Sequence, residues 1–168
     1  MANHEWSLAQ LRAKAEAYCA AAEHCAWEVR QKLQQWGATS DQVEDILAHL
    51  QATCFVDEQR YCDAFVHDKL LYQGWGRVKM RAQLQAKHLP SQAIEQALDA
   101  IDMAEYTRIL EKVMASKKRT IKPSDPQARE KLVRFLLQRG FTYEEVNLSL
   151  TSHLSPLTFN LSPLTSHL

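Results

Sequence analysis

Val29-Arg30-Gln31-Lys32-Leu33-Gln34-Gln35-Trp36-Gly37 sets two apolar residues one helical turn apart and closes on glycine, and the chain returns to this outline twice. Met80-x-x-x-Leu84-x-x-x-His88 and Leu132-x-x-x-Leu136-x-x-x-Gly140 superimpose on it without a gap, at steps of 51 and 52 residues. Six residues beyond each final position stand Val43, Ile94 and Val146, and four further on stand Leu47, Leu98 and Leu150. The i, i+4 apolar spacing is that of one helix face. Gly37, His88 and Gly140 then fall where a helix ends, a place that favours glycine because the backbone turns left-handed there.

Each second helix opens on a start signal. Thr39-x-x-Gln42 and Thr142-x-x-Glu145 are capping boxes, and Pro90-Ser91 stands at the matching place in the middle copy. The stretches before each pair, Leu8–His24, Glu58–Tyr72 and Ala104–Ala115, also read as helical. The chain is therefore expected to be all-α, built of tandem three-helix (helix-turn-helix-like) repeats, with about nine helices in an elongated, curved arrangement. The expected units are residues 7–53, 54–102 and 103–150, followed by a low-complexity tail over 151–168. In that tail Thr151-Ser152-His153-Leu154 recurs as Thr165-Ser166-His167-Leu168, so it is expected to be disordered. Lys117–Pro126 combines a basic cluster with two prolines and reads as a loop, with Pro126 in the first turn of the helix that follows.

With only 4 Gly and 5 Pro in 168 residues, tight turns are too scarce for a many-stranded β fold. No apolar stretch approaches the roughly 20 residues of a membrane span. The opening Met1-Ala2-Asn3-His4-Glu5-Trp6 lacks the basic head and apolar core of a secretory signal, which points to the cytoplasm. Cys19, Cys25, Cys54 and Cys62 form no C-x-x-C unit and read as buried or half-buried thiols, with Cys19 and Cys25 inside a helix. His24 and Cys25 lack the further ligands a zinc site needs. Walker, H-E-x-x-H and G-x-S-x-G motifs are missing, so no enzyme chemistry, cofactor or metal is expected.

The zero net charge hides a division. Residues 1–68 carry five Lys and Arg against eleven Asp and Glu, a balance of −6. Residues 69–139 carry fifteen against seven, a balance of +8. The remaining residues add Glu144 and Glu145 alone, −2. An acidic front and a basic middle can thus present opposite fields to different partners.

The middle copy reads Phe55-Val56-Asp57-Glu58-Gln59-Arg60-Tyr61-Cys62-Asp63-Ala64-Phe65-Val66, then Gly74-Trp75-Gly76-Arg77-Val78-Lys79-Met80-x-x-x-Leu84-x-x-Lys87. This resembles the RecX family of recombination regulators: an aromatic or aliphatic residue, Asp-Asp/Glu-x-Arg-Tyr/Phe-Ala-x-x-Phe-Val, a Gly-containing turn, then Arg/Lys-Ile/Val-x-x-x-Leu. The resemblance spans residues 7–150, most specifically in the middle copy. The chain departs from it at His88-Leu89, where Gly-Ile is usual, and at Gly76-Arg77, where Gly-Pro is usual.

The resemblance implies a monomeric helical strip lying in the groove of a RecA recombinase filament on single-stranded DNA, restraining it without bond-making chemistry. The candidate partner or phosphate contacts are Arg60, Arg77, Lys79, Arg81, Lys87, Lys117, Lys118, Arg119 and Lys122. The plain alternative for each is a solvated cation or an internal ion pair. Trp75 reads either as a base-stacking platform or as the anchor of its turn against Phe65 and Tyr72. Asp57 reads as a helix cap, and Phe55, Phe65, Val66, Leu70, Met80 and Leu84 as core. Two other functions stay open at this level: a stand-alone helical nucleic-acid-binding module, and a generic helical-repeat scaffold for another protein.

Overall fold

Both capping boxes form. Thr39 Oγ1 accepts from the Gln42 N–H at 3.3 Å while the Gln42 amide oxygen accepts from the Thr39 N–H at 2.9 Å. Thr142 and Glu145 make the same reciprocal pair at 3.1 and 2.8 Å. Ser7 and Gln10 make a third at 3.2 and 2.9 Å. Asp57 caps through the Arg60 N–H and Asp102 through the Glu105 N–H. Each such cap satisfies N–H groups that a helix start leaves without partners.

The computed structural model describes residues 5–152, and among these the secondary structure is nine helices. They are α1 (Leu8–Ala21), α2 (Ala26–Gln35), α3 (Ser40–Ala52), α4 (Glu58–Gln73), α5 (Arg77–Ala86), α6 (Ser91–Asp99), α7 (Met103–Lys118), α8 (Ala128–Gln138) and α9 (Tyr143–Ser152). Within each consecutive trio all three helices pack on one another, and α4 also packs on α7. The ends of α2, α5 and α8 share one geometry. Gly37, His88 and Gly140 take φ of 85°, 57° and 94°. The next N–H of each then reaches back to a carbonyl five residues earlier: Ala38 to Leu33, Leu89 to Leu84, Phe141 to Leu136.

The apolar faces divide into two cores. Leu11, Val29, Leu33, Ile46 and Leu50 close the first trio on itself. The second and third trios share a larger core that includes Met80, Leu84, Ile94, Tyr106, Met114 and Leu136, and Cys25 and Trp27 of the first trio reach into it. Phe55 and Phe65 pack on these cores half-buried rather than inside them.

Several local expectations are corrected. Helix α1 stops at Ala21, and Cys25 is the extended residue that starts α2 rather than part of a continuous helix. Cys54 is exposed, not buried, because it makes the left-handed turn (φ 58°) after α3. Helix α7 runs on to Lys118, so Lys117 and Lys118 occupy a last helical turn, where cations complement the helix dipole, and not a loop. Pro126 lies in the turn ahead of α8, which starts at Ala128. Thr151 and Ser152 complete α9, while the remainder of the expected tail lies outside the described residues.

Backbone meets backbone across the joint between the second and third trios. Gly76, at the start of α5, donates its N–H to the Arg139 carbonyl at 2.8 Å, and Val78 donates to the Gly140 carbonyl at 3.0 Å. The unsatisfied donors of one helix thus meet the unsatisfied acceptors of another. A Cβ at Gly76 would lie 2.3 Å from the Gly140 carbonyl, and one at Gly140 would lie 2.3 Å from Lys79 Cβ. By the repeat spacing, the matching positions in the first and second trios are Cys25 and His88. Side chains there accompany a different joint, built from ion pairs.

Candidate partner-binding surface

Four of the nine cations singled out above are committed within the fold. Arg60 Nε donates to Glu23 at 2.6 Å, and its Nη2 donates to the Cys54 carbonyl at 3.0 Å. Lys87 pairs with Glu28 of the first trio, the same carboxylate that accepts from Tyr61 Oη at 2.9 Å and lies 2.9 Å from His24 Nδ1. Burial alone would raise the Glu28 carboxyl, but the hydrogen bonds from Lys87, His24 and Tyr61 outweigh it and hold its pKa below the ordinary value. These contacts form the ion-paired joint between the first and second trios. Arg81 makes a two-pronged bond to Glu95 at 2.7 and 2.9 Å. Arg77 lies 4.3 Å over the Tyr106 ring and 3.9 Å from Glu145. So although Arg77 and Arg81 lie one turn apart on α5, one tethers α9 and the other α6.

Two more lie over aromatic rings: Lys79 Nζ is 4.3 Å from the centre of Trp75, and Lys117 Nζ is 4.8 Å from that of Phe135. Trp75 is itself occupied. It is half-buried, with Phe65 edge-on at 6.3 Å and Lys69 at 5.0 Å. Its expected partner Tyr72 is elsewhere, 78 % exposed and touching His67 at 6.4 Å.

Lys118, Arg119 and Lys122 are exposed and make no ion pair among the described residues. They have two companions that sequence reasoning missed, the exposed Lys112 and Arg134. All five stand on α7, α8 or the segment between them. An open hollow of about 510 Å³ lies there, lined by Lys117, Lys122, Arg134 and Phe135, with Asp125 held by Lys131 at 2.6 Å. At Phe135 it adjoins a second groove of about 740 Å³ toward the end of α4, edged by Arg108, Lys112 and Arg139. No carboxylate lines that second groove. The sequence signal for Lys112 and Arg134 was only their spacing from neighbouring cations. Their lack of acidic partners is a tertiary fact.

Two of the four thiols are held protonated by burial. Burial pushes the Cys19 and Cys62 thiols up to about 11, so neither is a thiolate at neutral pH. No described helix is long and apolar enough to cross a membrane.

Comparison with known proteins agrees with this architecture unit by unit. Residues 12–50, 57–98 and 104–148 match the first, second and third three-helix domains of RecX, in that order. The regulatory protein RecX of Chlorobaculum tepidum is 31% identical over 119 residues, 71% of this chain and 72% of that protein. The regulatory protein RecX of Leptothrix cholodnii is 31% identical over 145 residues, covering 85% and 90% of the two chains. The crystal structure of RecX from Lactobacillus salivarius superimposes with a TM-score of 0.76 at 16% identity, over 86% of this chain and 95% of that one, a likeness of fold. Three family domains in register, joined by identity that extends across most of both chains, make this chain a member of the RecX family of regulatory proteins.

Proposed function

We propose that this chain, acting as a monomer in the cytoplasm, binds RecA recombinase filaments on single-stranded DNA and restrains their activity. The observation that carries the reading is the segregation of uncommitted cations. Arg60, Arg77 and Lys87 are paired across repeats, and Arg81 is paired with Glu95 inside the second. Lys118, Arg119 and Lys122, with Lys112 and Arg134, remain for an external anion on α7, α8 and the segment between them. Cations placed this way bring counterion release on meeting a phosphate backbone. The acidic first repeat lies at the other end of the chain, where it is suited to a protein surface rather than to DNA.

The test is DNA-dependent ATP hydrolysis by a RecA recombinase on single-stranded DNA, titrated with the full chain. Inhibition well below one copy per recombinase, weakened by joint Lys118/Arg119/Lys122→Ala, supports filament regulation through this surface. An effect only at levels that coat bare DNA would overturn it in favour of a stand-alone nucleic-acid-binding module. The competing module predicts binding to bare DNA that falls steeply with salt.

A further inference from the structure

Beside the cations of α7, the aromatic side chain at the end of α4 that faces solvent is Tyr72, and not the neighbouring Trp75. The Trp75 indole is half-buried between Phe65, Lys69 and Lys79. Tyr72 is 78 % exposed at the edge of the groove that α4 forms with α7 and α8. The floor of that groove is apolar at Ile109 and Val113, and its rim is cationic at Arg108, Lys112 and Arg139.

We infer that this groove binds single-stranded nucleic acid, with a base stacked on Tyr72 and the flanking phosphates held by Arg108 and Lys112. Arg108 and Lys112 are one turn apart on α7 and share a face. Arg108 is 73% exposed with only a long 3.4 Å contact to Glu105, and Lys112 is exposed with no ion pair among the described residues. Arg139 is fixed by its bond to the Gln73 carbonyl and shapes the rim instead of reaching out. A peptide would need a pocket to receive an anchoring side chain. Here the aromatic group projects from the surface and offers a flat face, which is what an unpaired base requires. The groove continues at Phe135 into the hollow that carries Lys122 and Arg134, so a strand lying across Tyr72 has a cationic path onward.

This inference rests on the DNA-facing half of the proposed function and extends it to a stacking residue. The experiment measures anisotropy of a fluorescein-labelled oligothymidylate with the full-length chain, and with its Tyr72→Ala, Tyr72→Phe and Arg108/Lys112→Ala variants. Loss of one stacked base weakens binding by about 5- to 150-fold, so Tyr72→Ala is expected in that range, with Tyr72→Phe close to the parent. The salt dependence of Tyr72→Ala stays as in the parent, while the double variant lowers the slope by about 1.4. An abasic sugar-phosphate strand is expected to bind parent and Tyr72→Ala alike. Unchanged oligothymidylate affinity in Tyr72→Ala, an equal loss on the abasic strand, or no binding by the parent would each overturn the assignment. Recombinase hydrolysis measured alongside separates the two ideas. A parent chain that leaves the recombinase untouched but binds DNA through Tyr72 sinks filament regulation alone. A parent that restrains the recombinase while Tyr72→Ala binds DNA undiminished sinks this inference alone.

Discussion

Gly140 and His88 occupy the same turn in successive repeats, yet substitution is expected to act on them in opposite directions. Both have left-handed backbones. An L side chain in that region costs roughly 1–2 kcal/mol, which His88 bears and glycine would not. His88 is exposed, so His88→Gly loses no packing and is expected to raise stability by about 1 kcal/mol, or roughly 2–4 °C in Tm. Gly140→Ala adds the same backbone strain and drives a methyl group to 2.3 Å from Lys79 Cβ. Overpacking of this kind costs about 1–3 kcal/mol on its own, so a loss of about 2–5 kcal/mol is expected for Gly140→Ala. Gly76→Ala should also destabilise, through crowding alone, since its φ of −83° suits any residue. Thermal melts of the three variants check these signs. A Gly140→Ala protein as stable as the parent would remove the backbone joint from the account.

At the level of elements, the two joints between trios differ in kind. The second includes direct backbone-to-backbone hydrogen bonds, and the first is centred on the Glu28 carboxylate gathering Lys87, Tyr61 and His24. The Glu28 pKa is depressed in the folded chain. Its contribution to stability is therefore fully present above the unfolded glutamate value of about 4.3 and is lost as pH falls through the folded value. Denaturation followed from neutral pH down through that range is expected to show a steeper acid limb in the parent than in Glu28→Gln. Hydrogen bonds to charged groups contribute about 1.5–3 kcal/mol, so Glu28→Gln should cost about that much at pH 7 and progressively less in acid. Parallel pH profiles for the two proteins would assign the acid limb to other carboxylates. The Arg81–Glu95 pair is more exposed, and Arg81→Ala is expected to cost no more than about 1 kcal/mol.

Across the whole molecule, charge is sorted by position. The first repeat uses its few cations internally, Arg12 on Asp45 and Arg30 on Glu44, with Lys14 over the Trp6 and Trp36 rings. Two of its further acids turn to the second trio, Glu23 to Arg60 and Glu28 to Lys87, while the third trio keeps cations without an ion pair among the described residues. Neutralising Lys118, Arg119 and Lys122 together should leave Tm within about 1–2 °C of the parent, since exposed unpaired side chains contribute little. The same change should lower the salt slope of single-stranded DNA binding by about 2. A large loss of stability instead would mean that these lysines and the arginine support the fold.

Helix content, the three-fold repeat and the turns that end α2, α5 and α8 were legible in the sequence, because they depend on residues within one or two turns of each other. Val29 and Leu33 share a face whatever surrounds them, and Thr39 finds Gln42 by local geometry. The local reading failed where neighbours in sequence part in space: the break after Ala21, and Tyr72 turning outward while Trp75 turns in. Nor could spacing say which cations were spent. Arg60 meets Glu23 across 37 residues, Lys87 meets Glu28 across 59, and Arg139 reaches Gln73 across 66. A charge becomes available to a partner only when no opposite charge folds against it. That depends on long-range packing, so only the tertiary structure decided which of the nine candidate cations stand free of an ion pair.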